Sequence, residues 1–145
     1  AAGIAAIAAQ REQPDTPLFP NVRATIEAVR GRYAGRRVWA IFEPRSNTSR
    51  RNIHQEAFVD ALARADRAVI AGVDNPGKVP EAERLSPGRV AENLRARGTD
   101  AEFIESVDDI VARVVSRAEP GDVLLVMSNG GFGGIHGRLL EALAP

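Results

Sequence analysis

Val38-Trp39-Ala40-Ile41-Phe42 runs into Glu43-Pro44-Arg45-Ser46-Asn47-Thr48-Ser49-Arg50-Arg51-Asn52, then into a helical repeat, then into Ala68-Val69-Ile70-Ala71-Gly72-Val73. This stretch decides the fold. Each apolar run is too short for a helix of its own and has no polar alternation, which predicts a strand buried on both faces. Between them Phe58, Leu62 and Ala65 recur at helical spacing and predict a helix from about Ile53 to Ala65. A strand, a helix and a second buried strand in succession predict a parallel pair joined by a crossover.

The pattern repeats toward the C-terminus. Asp74-Asn75-Pro76-Gly77 breaks the second strand, and residues 78–85 read as extended or irregular. Ser86-Pro87 reads as an N-cap followed by proline at the first helical position, leading a helix through Val90 and Leu94 that stops at Gly98. Ala101-Glu102-Phe103-Ile104 is a weaker strand. Ser106, with Asp108 and Asp109, starts a helix whose apolar side is Ile110, Val111, Val114 and Val115 and which ends by Pro120-Gly121. Val123-Leu124-Leu125-Val126-Met127 is the last strand candidate, followed by Ser128-Asn129-Gly130-Gly131-Phe132-Gly133-Gly134 and a terminal helix through Ile135, Leu139, Leu140 and Leu143. Toward the N-terminus, Asn21 is placed to cap a helix over Val22 to Tyr33. Pro14, Pro17 and Pro20 punctuate the chain before it, and the alanine-rich start from Ala1 to Ala9 would form a short helix if packed. Residues 1–20 are expected to be an arm or the remnant of a preceding domain, and residues 21–145 the folded unit.

Four strand candidates alternating with helices predict an α/β fold with a mostly parallel sheet, helices on both faces and a Rossmann-like build. The loops after the strands then share one edge, where open α/β sheets bind ligands. At 145 residues, 44% hydrophobic and 26% charged, one core is expected. Nineteen basic residues balance 19 acidic ones, so no net field favours nucleic acid or an anionic membrane. The chain has no cysteine, which excludes disulfides and thiolate chemistry and fits a reducing, cytoplasmic setting. The apolar start lacks a basic leader and is too short to span a bilayer. His54 and His136 are too few for an all-histidine metal site, and no metal constellation is expected.

Two loops carry the chemistry. Arg45, with Ser46, Asn47, Thr48 and the neighbouring Arg50 and Arg51, offers planar guanidinium donors beside small polar caps, which suits a phosphate or carboxylate. Ser128, Asn129, Gly130, Gly131, Phe132 and Gly133 join a buried strand to a helix almost without side chains, so a ligand can approach the backbone. Phe132 is either a wall for a planar or apolar group or a cover for the core. The glycines match neither a Walker loop nor GxGxxG. Asp74, at a strand end, either touches a ligand or a water or stabilises its own turn.

The segments from Trp39 to Thr48 and from Val126 to His136 resemble the C-terminal domain of the Mur ligases, within them the branch that adds a murein tripeptide to a UDP-sugar; the likeness runs from about Val22 to Leu143. The resemblance implies an ATP-dependent amide ligation in peptidoglycan recycling. UDP-N-acetylmuramate is activated as an acyl phosphate, and the amine of L-Ala-γ-D-Glu-meso-diaminopimelate attacks it. It also implies that upstream ligase domains hold the UDP-sugar, ATP and Mg2+, while this domain closes on them. Arg45 is then a contact to substrate or phosphate, and Ser128 to Gly134 position the incoming peptide. The family's acidic-aromatic-His-His-Pro-Thr opening is absent before Val22, where Phe19-Pro20-Asn21 stands instead. Gly77 also occupies the arginine position of an Asp-Asn-Pro-Arg motif, which weakens any transfer of diaminopimelate recognition to that loop. No phosphate loop is present in these residues, so the resemblance implies no ligation by them alone. The reading of a different class is a stand-alone α/β module that binds a nucleotide or carboxylate with the same two loops.

Overall fold

The computed structural model describes residues 6–10, 18–44, 52, 55–73, 77, 79–128 and 131–144. Five strands form one sheet: β1 (Ala6–Gln10), β2 (Val38–Phe42), β3 (Arg67–Ala71), β4 (Asp100–Ile104) and β5 (Val123–Met127), in the spatial order β1-β5-β2-β3-β4. Every pairing is parallel. The helices are α1 (Leu18–Arg32), α2 (Gln55–Leu62), α3 (Pro87–Ala96), α4 (Val107–Arg117) and α5 (Ile135–Ala142).

Alternation within each strand divides the core. Ala40 and Phe42 of β2, Ala68 and Ile70 of β3 and Leu125 and Met127 of β5 face one side, where α1, α2 and α3 supply Val22, Ile26, Phe58, Leu62, Val90 and Leu94. Trp39, Ile41, Val69, Ala71, Leu124 and Val126 face the other, against Ile110 and Val114 of α4 and Ile135 and Leu139 of α5. With both faces covered, β2 and β5 are buried along their whole length, which is why their sequences carry no polar alternation. The rings of Phe42 and Phe58 meet with centroids 5.3 Å apart and seat α2 on β2.

The caps form as the sequence indicates. Ser86 Oγ accepts from the Arg89 amide at 3.3 Å and Ser106 Oγ from the Asp109 amide at 3.2 Å. Gly98, at φ +90°, takes the left-handed position that ends α3. Residues 78–85, expected to be extended or irregular, include a 3-10 turn at Glu81–Glu83.

Two expectations are corrected. The alanine-rich start does not form a helix: Ala6–Gln10 pairs in register with Val123–Met127 as the edge strand. Its intrinsic helix preference is a few tenths of a kcal/mol per residue, and the ladder of backbone hydrogen bonds to β5 overrides it. Asn21 does not cap the next helix either, because α1 begins at Leu18. Pro20 then lies in its first turn, where an amide has no intrahelical partner and a proline costs little.

Below the sheet, at the start of β2, Asp122 gathers four donors. Arg37 reaches it through Nε at 3.0 Å and Nη2 at 2.7 Å, the Trp39 indole at 2.9 Å and the Glu119 amide at 2.9 Å. Burial raises the Asp122 carboxyl pKa, but the hydrogen bonds from Arg37, Glu119 and Trp39 and the charge of Arg37 outweigh it and hold the group below the usual carboxylate range. The hydrogen bond to Asp122, against a smaller cost of burial, raises Arg37. The guanidiniums of Arg67 and Arg37 also lie over the Trp39 ring, at 5.0 Å and 6.0 Å from its centre.

Candidate functional site

The sheet order places β2 beside β5 in the interior, with Phe42 level with Met127. The helix that follows β2 packs on one face of the sheet and the helix that follows β5 packs on the other. Neighbouring strands whose connections leave in opposite directions define a switch point, the place where open α/β sheets bind ligands. The arginine-bearing loop and the glycine-rich loop therefore spring from adjacent positions on the same edge.

Their stems are tied together. The Glu43 amide donates to the Met127 carbonyl at 3.0 Å, and Ser128 Oγ donates to Glu43 Oε1 at 2.6 Å. Both side chains are buried, with Glu43 8% and Ser128 4% exposed. Of the residues singled out from the sequence, Ser128, Gly131, Phe132 and Gly133 are described; Arg45, Ser46, Asn47, Thr48, Asp74, Asn129 and Gly130 lie outside the described residues. Phe132, only 2% exposed, packs its ring among Ile135, Leu139 and the other apolar residues between the sheet and α4 and α5. Glu43 was not among the residues singled out. The available signal was a carboxylate directly after a fully apolar strand, a position where a buried charge needs a partner.

The backbone past the loop turns the wrong way for ordinary residues. Phe132 at φ +48°, Gly133 at +57° and Gly134 at +70° are consecutive left-handed positions, with the Gly134 amide donating to the Gly131 carbonyl at 2.9 Å. Phe132 pays for this conformation, about 1–2 kcal/mol for a residue with a Cβ, through the burial of its ring. At Gly133 a Cβ would also meet Val107 Cγ2 at 3.1 Å, whereas at Gly131 it would meet nothing. Gly133→Ala is expected to lower the urea midpoint by the equivalent of about 1–2 kcal/mol, with Gly131→Ala within about 0.5 kcal/mol of the parent.

On the other flank, the Gly72 amide donates to the Glu105 carbonyl at 3.4 Å just past the ends of β3 and β4. A Cβ at Gly72 would meet Glu105 Oε1 at 2.7 Å, so the backbone after β3 is closely covered. Among the described residues no group of three or more His, Cys, Asp or Glu side chains comes together in a way that could hold a metal ion.

The fold is an α/β domain on a five-stranded parallel sheet, with the ends of β2 and β5 side by side at one edge. The chain belongs to the Mur ligase family: residues 20–130 match its glutamate ligase domain. A UDP-N-acetylmuramate–L-alanyl-γ-D-glutamyl-meso-2,6-diaminoheptandioate ligase of Escherichia coli K12 is 40% identical over 124 residues, 85% of this chain and 25% of that protein. Among solved structures, a murein peptide ligase from Psychrobacter arcticus superposes with a TM-score of 0.70 at 32% identity, over 94% of this chain and 27% of that one. A separately crystallised domain from Haemophilus ducreyi superposes with a TM-score of 0.68 at 30% identity, over 95% of this chain and 90% of that one. The chain thus spans about a quarter of the length of the curated relatives it matches.

Proposed function

We propose that this chain is the closing, substrate-positioning domain of an ATP-dependent ligase that joins L-Ala-γ-D-Glu-meso-diaminopimelate to UDP-N-acetylmuramate in cytoplasmic peptidoglycan recycling. The observation that carries the reading is the pairing of the two loop stems across β2 and β5, in a chain whose relatives include a ligase named for those two substrates. Upstream ligase domains hold the UDP-sugar, ATP and Mg2+, and Ala6–Gln10 adds the edge strand to this domain. ATP supplies the activation of the muramoyl carboxylate. This chain brings Arg45, Ser46, Asn47, Thr48 and Asp74 to substrate or phosphate. Ser128, Asn129, Gly130, Gly131, Phe132 and Gly133 align the peptide amine. Phe132 acts through the backbone that its buried ring fixes. Alignment matters because two reactants held in attack geometry in a drier site avoid the entropy cost of meeting in solution. The 19 basic and 19 acidic residues balance, so no net field draws the chain toward nucleic acid or an anionic membrane.

The test is ligation from ATP, UDP-N-acetylmuramate and tripeptide. The chain alone is expected to give no product, and the chain fused to the upstream domains of the Escherichia coli relative is expected to turn over. Arg45→Ala in that fusion should cut kcat/KM by about 10- to 100-fold through loss of a charge-assisted contact, with the circular dichroism of the sheet unchanged. Product from the chain alone, or unaltered kinetics in the variant, counts against the proposal. Tight nucleotide binding by the chain alone in calorimetry, with no coupling to peptide, would favour the stand-alone binding module.

A further inference from the structure

We propose that Glu43 is a positioning residue: it ties the loop after β2 to the loop after β5 and thereby sets where the glycine-rich backbone meets the amine substrate. The proposal deepens the ligase reading above and rests on it. Glu43 holds the end of β5 at two points, its amide on the Met127 carbonyl at 3.0 Å and its carboxylate on the Ser128 hydroxyl at 2.6 Å. Four positions further on, the buried ring of Phe132 fixes the other end of the loop. Between these anchors the chain reads Asn129-Gly130-Gly131, and glycines carry no side chains with which to hold a loop in one conformation. The described anchors on either side are Ser128 and Phe132.

The choice of residue supports the assignment. A carboxylate 8% exposed is costly to bury, and an apolar residue would complete the strand end without that cost. What the carboxylate provides is a short hydrogen bond to a residue 85 positions away in sequence, joining the two segments that the ligase reading assigns to substrate. A neutral acceptor of the same shape should serve nearly as well, because the Ser128 hydroxyl is the donor.

The experiment has two arms. In the fusion with the upstream domains of the Escherichia coli relative, Glu43→Ala is expected to raise the KM for tripeptide about ten-fold and leave the KM for UDP-N-acetylmuramate unchanged. Glu43→Gln should restore the parent value, because its carbonyl oxygen still accepts from the Ser128 hydroxyl. In the 145-residue chain by itself, amide exchange at Gly131, Phe132 and Gly133 should accelerate in Glu43→Ala and recover in Glu43→Gln, while amides of α3 hold their rates. Unchanged exchange at those three amides, or equal rises in both KM values together with a lower melting temperature, would overturn the positioning role. A parent fusion that makes no product, with the exchange pattern intact, would instead defeat the ligase reading and leave the loop coupling standing.

Discussion

An Asp122→Ala protein is expected to lose about 3–5 kcal/mol of unfolding free energy, a large part of what holds a domain of this size together. The carboxylate is 3% exposed and accepts from Arg37, Trp39 and the Glu119 amide, so its removal leaves a guanidinium, an indole N–H and a backbone N–H short of a partner together. Asp122→Asn should also destabilise the fold: with its carbonyl in place of Oδ2, its amide nitrogen would point donors at Arg37 Nε. Urea unfolding gives the magnitude, and acid titration gives the sign. The folded-state pKa of Asp122 lies below its unfolded value, so in the window between them the unfolded chain binds the extra proton and stability rises with pH. The contribution is complete above about pH 4 and is lost as pH falls through the folded pKa. The parent should therefore show a steeper acid loss than Asp122→Ala; equal slopes would show that this carboxylate does not govern the acid limb.

Phe58→Ala should cost about 3–5 kcal/mol for a different reason, the cavity left where the ring packs on Phe42. Phe58 is fully buried, and α2 is a short helix of 8 residues with few other large anchors: Phe58, Val59, Ala61 and Leu62 are its buried side chains. Helices of that length do not persist without tertiary packing, so the variant should loosen α2 and the loop that leads into it. Phe58→Leu should recover more than half of the loss, and Phe103→Ala, at a ring 40% exposed on the edge strand β4, should change the urea midpoint little. If Phe103→Ala proved as damaging as Phe58→Ala, the division between core and edge described above would be wrong.

Elements whose cause is local could be read from the chain. Val38–Phe42 and Val123–Met127 announce themselves by unbroken apolar character, and α3 and α4 by Ser86-Pro87 and Ser106 with its acidic neighbours. What escaped was set by distant partners. Ala6–Gln10 is a strand because β5 offers an open ladder more than a hundred positions later, and nothing within the alanine run itself says so. Asp122 looked like the residue before a strand until Arg37 and Trp39 were seen to converge on it from 85 and 83 positions away. At the candidate site, the two loops were legible as composition, a cluster of arginine and small polar residues and a run of glycine. Glu43 was not, because its burial and its bond to Ser128 exist only after the strands have been ordered.

The setting of Trp39 gives the molecule a built-in optical reporter. It is the sole tryptophan, its indole N–H is held by a carboxylate, and two guanidiniums lie against its ring. Its emission should be blue-shifted in the native state and should move to the red as the lower end of the sheet opens to solvent. The colour of that light would then follow the disassembly of one end of the sheet without any dye attached to the loops at the other.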